Sequence, residues 1–162
     1  MKHATLVLIR RREEVLLPQK KTGEIGRGLY NAPGGKLELG ESPITCALRE
    51  VREETGLRLY RQFLEECATL SCYTKGVLDF RVYVYRTGVF KGEPQETESM
   101  TPCWFHWAQL PYELMHDGDV HWFSKALGGQ KFDANLYYRG RGEGFEKIQF
   151  APYTPFPVGA PH

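Results

Sequence analysis

"GKLELGESPITCALREVREETGL", residues 35–57, decides how the rest of the chain is read. Its second half carries every local signal of a helix. Ser42 stands at the N-cap, Pro43 suits the first helical position, and Gly56 falls where a left-handed C-terminal cap belongs. At about 100° per residue, Ile44, Ala47, Leu48 and Val51 form one apolar stripe, while Glu50, Glu53 and Glu54 share a separate arc. The carboxylates therefore point away from the core.

Helix stability alone does not choose this arrangement. Glu50 and Glu54 are like charges at i and i+4, which costs about 0.2 to 0.5 kcal/mol. Glu53 and Glu54 also lie at the negative end of the helix dipole, a further penalty of about 0.3 to 1 kcal/mol each at an exposed site. A divalent cation would remove both penalties. Oxygen-only ligands favour a hard ion, and Mg²⁺ accepts few carboxylates while keeping waters that phosphate oxygens can replace. Arg49 is positioned to pair with Glu53 one turn on or with Glu41 outside the helix, and so to orient the acidic face. Gly34 and Gly35 allow the main chain to approach a ligand closely.

Outward from this helix the chain is rich in strands. "HATLVLIR" and "EVLLPQKK" read as a hairpin whose first strand is buried, and a glycine-punctuated loop, "TGEIGRGLYNAPGGK", leads back to the helix. After residue 57, "LDFRVYVYRTG" alternates around Phe80, Val82 and Val84, which predicts a long antiparallel pair; "FKGEPQETESM" is a polar loop. "CWFHWAQLP" resumes as a strand and turn, "DVHWFSKALGG" reads as a short helix, and "KFDANLYYRG" with "GFEKIQF" as a last hairpin. Residues 151–162 are proline-rich and expected to be extended or disordered. Strands placed around an early and a late helix predict an α/β fold, a mixed sheet sandwiched between helices.

Composition narrows the class further. With 162 residues, 41% hydrophobic and 13% aromatic, the chain suffices for one core, here assigned to residues 1–150. Lys and Arg total 21 against 20 Asp and Glu, a net charge of +1, so no global field draws nucleic acid or an acidic membrane and an anionic ligand must be held locally. The four cysteines, Cys46, Cys67, Cys72 and Cys103, have no zinc-site spacing, and the opening apolar run is too short for a signal peptide or a membrane span. Free thiols in a cytoplasmic protein are expected, with a monomer favoured.

The spacing Gly35, Glu41, Arg49-Glu50, Glu53-Glu54, Gly56-Leu57 resembles, at every fixed position, the signature of the Nudix hydrolases. That resemblance implies an α/β/α sandwich with a mixed β-sheet and a loop-helix-loop. It also implies Mg²⁺-dependent hydrolysis of a nucleoside diphosphate linked to another group, with Mn²⁺ as a substitute ion. Glu50, Glu53 and Glu54 match the family's metal-binding and base positions, joined by the Gly35 carbonyl, with Glu53 or Glu50 as the base. Arg49 and Glu41 match its supporting ion pair.

"TLVLI", "KK", "YNAPGGK", "MTPCWFHWAQLP" and "DVHWF" are further similar to the branch of that family that acts on oxidised purine nucleoside triphosphates. The resemblance implies that Asn31 reads the base, that Thr5 and Lys20 line its pocket, that Met100 packs against it, and that Asp119 and His116 occupy base-contacting positions. Two departures accompany it: the first of two paired aspartates falls on Gly118, and the stacking tryptophan falls on His116. Asp117 stands where a proline is expected and offers a carboxylate from a shifted position. Tyr30 and Trp122 are expected near the pocket, and Glu98 is a weaker candidate ligand. The implied partner is a small-molecule nucleotide. A nucleotide sugar, a dinucleoside polyphosphate and an unmodified nucleoside triphosphate remain open as substrates, as does nucleotide sensing without cleavage.

Overall fold

The computed structural model describes residues 1–23 and 26–162. Its strands are β1 (Lys2–Arg11), β2 (Glu14–Leu16), β3 (Gln19–Lys20), β4 (Gly34–Lys36), β5 (Arg58–Leu59), β6 (Glu65–Thr74), β7 (Val77–Thr87), β8 (Phe90–Lys91), β9 (Met100–Thr101), β10 (Trp104–His106), β11 (Phe132–Gly140) and β12 (Glu143–Ala151). Two helices, α1 (Pro43–Thr55) and α2 (Phe123–Leu127), complete the frame. The main sheet has eight strands in the order β10-β2-β1-β7-β6-β11-β12, with β4 also on β1. β1 runs parallel to β7, and β6 parallel to β11; the other pairings are antiparallel, so the sheet is mixed.

Period-2 alternation sends each strand into two cores. Val7 and Ile9 of β1, with Tyr83 and Tyr85 of β7, meet Ala47, Val51 and Leu57 on the α1 side. Leu8, Val84 and Leu70 meet Trp122, Phe123, Ala126 and Leu127 on the α2 side. β1 is a continuous apolar run because both of its faces are covered.

The cap residues of α1 behave as their chemistry dictates. Ser42 Oγ accepts from Thr45 N at 3.4 Å, and Gly56, at φ 77°, donates its N–H to the Arg52 carbonyl. The late helix differs from expectation in being split. Gly118, at φ 96°, starts a 3-10 turn over Asp119–His121, and Trp122 at φ −128° separates that turn from α2. α2 has only five residues, so it covers one end of its sheet face and leaves the other end as a cavity floor. All four cysteines are free thiols.

Within the 151–162 segment Ala151 closes β12, and residues 152–162 follow it without repeating structure and are anchored. Phe156 is buried among Tyr83, Tyr85 and Tyr153, with ring centroids 5.3, 5.0 and 6.4 Å away. Tyr153 Oη and the Phe156 N–H both donate to Glu66 Oε1, at 2.6 and 2.8 Å. Two hydrogen bonds on one carboxylate and a buried ring hold a stretch whose composition reads as loose. Phe156→Ala therefore destabilises the fold by about 3 kcal/mol, read as a lower urea midpoint at unchanged m-value.

Candidate active site

The site begins where β4 passes between β1 and α1. A Cβ on Gly34 would lie 1.9 Å from the Thr5 carbonyl oxygen, and one on Gly35 would lie 2.5 Å from the Glu50 carboxyl carbon. Both glycines serve close approach rather than an unusual φ. The Glu50 carboxylate thus rests directly on the main chain of β4.

Arg49 organises the acids around it. Its Nε and Nη2 donate to the two oxygens of Glu41, each at 2.8 Å, a bidentate pair. Nη1 donates to Glu50 Oε1 at 2.8 Å and to Glu53 Oε2 at 3.2 Å, and Nη2 reaches the Lys36 carbonyl at 3.2 Å. The Glu41 side chain is 6% exposed, and the Arg49 guanidinium beside it holds its carboxyl down at about 2. Arg49 in turn is driven further up, chiefly by its bond to Glu41.

Glu54 points the other way, into a cavity of about 370 Å³. It accepts from the Gly34 N–H at 3.3 Å, yet burial dominates and pushes its carboxyl up to about 8, with Glu50 and Glu53 adding to the rise. Glu53 is exposed and turned towards Arg49. The three acids are distributed rather than converged, and among the described residues no three His, Cys, Asp or Glu side chains are gathered as a ligand set. The corner nonetheless fits a hard divalent cation: its donors are all oxygens, Gly35 leaves room for the close approach of a ligand, and the charge of half-buried Glu54 is disfavoured by its surroundings. Gly35, Glu50, Glu53 and Glu54 are the residues that would hold it.

Thr5, Lys20, Asn31, Gly35, Glu54, Met100, His116 and Asp119 all line this one cavity. Thr5 lines it as expected. Strand parity places its side chain towards α1, where its hydroxyl is 3.4 Å from Cys46 Sγ, while Ala4 and Leu6 flank it on the cavity wall. Lys20 and Met100 are register partners in the β3–β9 pair. Asn31 Oδ1 accepts from the Ala32 N–H at 2.9 Å. His116 is half-buried, and burial with the nearby Lys20 charge lowers its pKa.

Asp119 is the most constrained of the set. It is 6% exposed; Oδ1 accepts from Trp122 Nε1 at 3.2 Å, and Oδ2 is buried with no hydrogen-bond partner among the described residues. Burial raises its carboxyl to about 7. Asp117 does not supplement it: its Oδ2 accepts from the Phe145 N–H at 2.8 Å and is committed to β12. A Cβ at Gly118 would meet the Phe145 ring at 2.8 Å and Tyr138 Oη at 3.1 Å, so packing as well as φ excludes an aspartate there.

Trp122 lines the cavity, whereas Tyr30 packs edge-on against Phe105 with centroids 4.9 Å apart. Glu98 is exposed in its loop. The apolar floor from Leu70, Cys72, Val82, Leu136 and Tyr138 was not singled out from sequence, although the alternation of β6, β7 and β11 carries the signal.

The Arg49–Glu41 pair has a measurable consequence. A folded carboxyl near 2 against an ordinary value of 4.5 contributes stability that is complete above pH 4.5 and is lost as pH falls towards 2. Glu41→Gln removes that dependence, so urea unfolding from pH 7 to pH 2 shows a shallower acid loss in the variant than in the wild type.

Comparison with known proteins gives the chain's family and fold. A family model described as the NUDIX domain matches residues 1–126. The oxidized purine nucleoside triphosphate hydrolase of Mus musculus is 35% identical over 136 residues, covering 83% of this chain and 85% of that protein. Its Danio rerio counterpart is 33% identical over 137 residues, covering 84% and 86%. The crystal structure of a MutT protein from Bacillus halodurans superposes with a TM-score of 0.78 at 24% identity, covering 93% of this chain and 97% of that one, which is a likeness of fold.

Proposed function

The chain belongs to the Nudix hydrolase family, and from that premise we propose that it hydrolyses oxidised purine nucleoside triphosphates, such as 8-oxo-dGTP or 2-oxo-dATP, to the monophosphate and pyrophosphate. The ion is Mg²⁺, which Mn²⁺ can replace. The supporting observation is one continuous cavity with Asp119 Oδ2 buried and unpaired in it and Glu54 with Gly34 and Gly35 on its wall.

At the base end, Asp119 is poised between protonation states, so Oδ2 can accept from a ring N–H or, protonated, donate to a ring acceptor. An unmade bond at a buried carboxylate carries the full desolvation penalty, so the base that completes it is strongly favoured. Asn31 adds an amide edge, and the apolar floor excludes water beneath the ring. At the phosphate end, Gly35, Glu50, Glu53 and Glu54 would hold a divalent ion, which when bound would supply charge compensation for the breaking P–O bond. Arg49 keeps Glu50 against Gly35, and Glu53 or Glu50 takes the proton of the attacking water. Such an enzyme would act on the cytoplasmic nucleotide pool.

Gly118 favours a second reading within the family. With no carboxylate there and Asp117 committed elsewhere, Asp119 reads the purine edge alone, which suits an unmodified base or another nucleoside diphosphate derivative. Relative kcat/KM for 8-oxo-dGTP, 2-oxo-dATP, dGTP and an ADP-sugar separates the two: a preference for the oxidised purines supports the first, and parity with dGTP or the sugar rejects it.

Glu54→Gln lowers kcat by about two orders of magnitude or more with the fold intact, measured as pyrophosphate release at saturating Mg²⁺. Asp119→Asn chiefly raises KM for the purine triphosphate, by about tenfold or more, in the same assay.

A further inference from the structure

The cavity does not end at the proposed cation corner. Phe80 of β7 lines it beyond Lys36, and three cations gather over that ring: Arg141 Cζ at 5.5 Å, Lys2 Nζ at 5.6 Å and Lys36 Nζ at 6.0 Å from the centroid. Register explains the gathering. Lys2 stands opposite Phe80 in the β1–β7 pair, Lys36 stands opposite Ala4 in the β1–β4 pair, and Arg141 comes from the β11–β12 turn. Among the described residues one acid faces them: Asp79 takes Arg141 through two bonds of 2.8 Å and also accepts from Thr74 Oγ1.

Three cations against one carboxylate leave a local excess of positive charge around a single aromatic face. Mutual repulsion is the consequence, and Lys36 and Arg141 together lower the Lys2 pKa. The situation mirrors that of the acids on α1, with the opposite sign. By contrast, Arg10, Arg11 and Arg86, a second basic cluster at the far end of β1, are taken up by Trp107, by Trp104, and by the Ala126 carbonyl with Glu65.

We propose that Lys2, Lys36 and Arg141 around Phe80 form a subsite for the terminal phosphoryl groups of the substrate, selecting a triphosphate chain over a shorter one. The identity of the ligand rests on the nucleotide reading given above. Lys36 follows Gly35 directly, and Lys36, Phe80 and Arg141 line the same cavity as Gly35 and Glu54, so the rim and the proposed phosphate corner belong to one continuous wall. Its remaining negative charge, which one divalent ion does not neutralise, relieves the crowding of the cations. Lysine ammonium groups and a guanidinium gathered around one ring hold a flexible phosphate chain without needing a fixed geometry, the lysines acting as point charges.

The test is isothermal titration of the full chain, in Mg²⁺, with tripolyphosphate and separately with dGMP. Lys2 is exposed and Arg141 lies in a turn, so Lys2→Gln with Arg141→Gln tests charge, and urea unfolding of the double variant checks that loss of the Asp79–Arg141 pair leaves the fold intact. The double variant is expected to weaken tripolyphosphate binding about tenfold and leave dGMP unchanged, while Lys2 restored with Arg141→Lys recovers most of the affinity. Tripolyphosphate affinity that is unchanged in the double variant, undetectable in the wild type, or lost in equal measure with that for dGMP overturns the subsite. If the wild type hydrolyses no nucleoside triphosphate, the proposed activity fails while the tripolyphosphate result still decides the subsite.

Discussion

The site depends on the absence of two side chains. The backbone of β4 passes so close to the Thr5 carbonyl on one side that Gly34 cannot carry a Cβ, and so close to the Glu50 carboxylate on the other that a Cβ on Gly35 would push that carboxylate off the strand. This one steric constraint sets three others. It fixes β4 on the edge of β1, it brings the Gly34 N–H within 3.3 Å of Glu54, and it makes the Gly35 main chain the wall against which Glu50 rests. A helix carrying the same acids but packed farther from the strand would present a solvated charged face and nothing more.

Electrostatics then divides the acids by environment. Arg49 satisfies Glu41, Glu50 and Glu53 through one guanidinium, which is the planar, multiply donating group suited to it. Glu54 is left facing the cavity, where burial opposes its charge. The same pattern recurs at the other end in Asp119, whose second oxygen is buried and unpaired. Burial disfavours the charge of both carboxylates, and in the proposed function a cation at one and a donor at the other would relieve it, so that a small, nearly neutral protein would concentrate binding energy without a global field.

The α1 segment and its neighbours were legible because their signals are local. Caps, stripe and acidic arc all lie within one helix, and the spacing of Gly35, Glu41, Arg49 and the glutamates needs no tertiary knowledge. What escaped depends on long-range packing. Thr5 lines the cavity as read from the sequence, but the turn of its hydroxyl to Cys46 depends on strand parity, which is fixed only once β1 is covered on both faces. Tyr30 goes to Phe105 and Asp117 to Phe145 because of partners far away in sequence. The tail reads as loose from its prolines and is held by Glu66, distant in the chain. The short strands β3, β5, β8 and β9 leave almost no period to read.

The central claim is that the α1 acids hold a divalent ion at Gly35. Titrating the protein with Mn²⁺ and following the free ion by electron paramagnetic resonance tests it directly. The account predicts saturable binding by the wild type and at least about tenfold weaker binding by Glu54→Gln, since one of few charged oxygen ligands is gone. Equal Mn²⁺ affinity in the two proteins would contradict it.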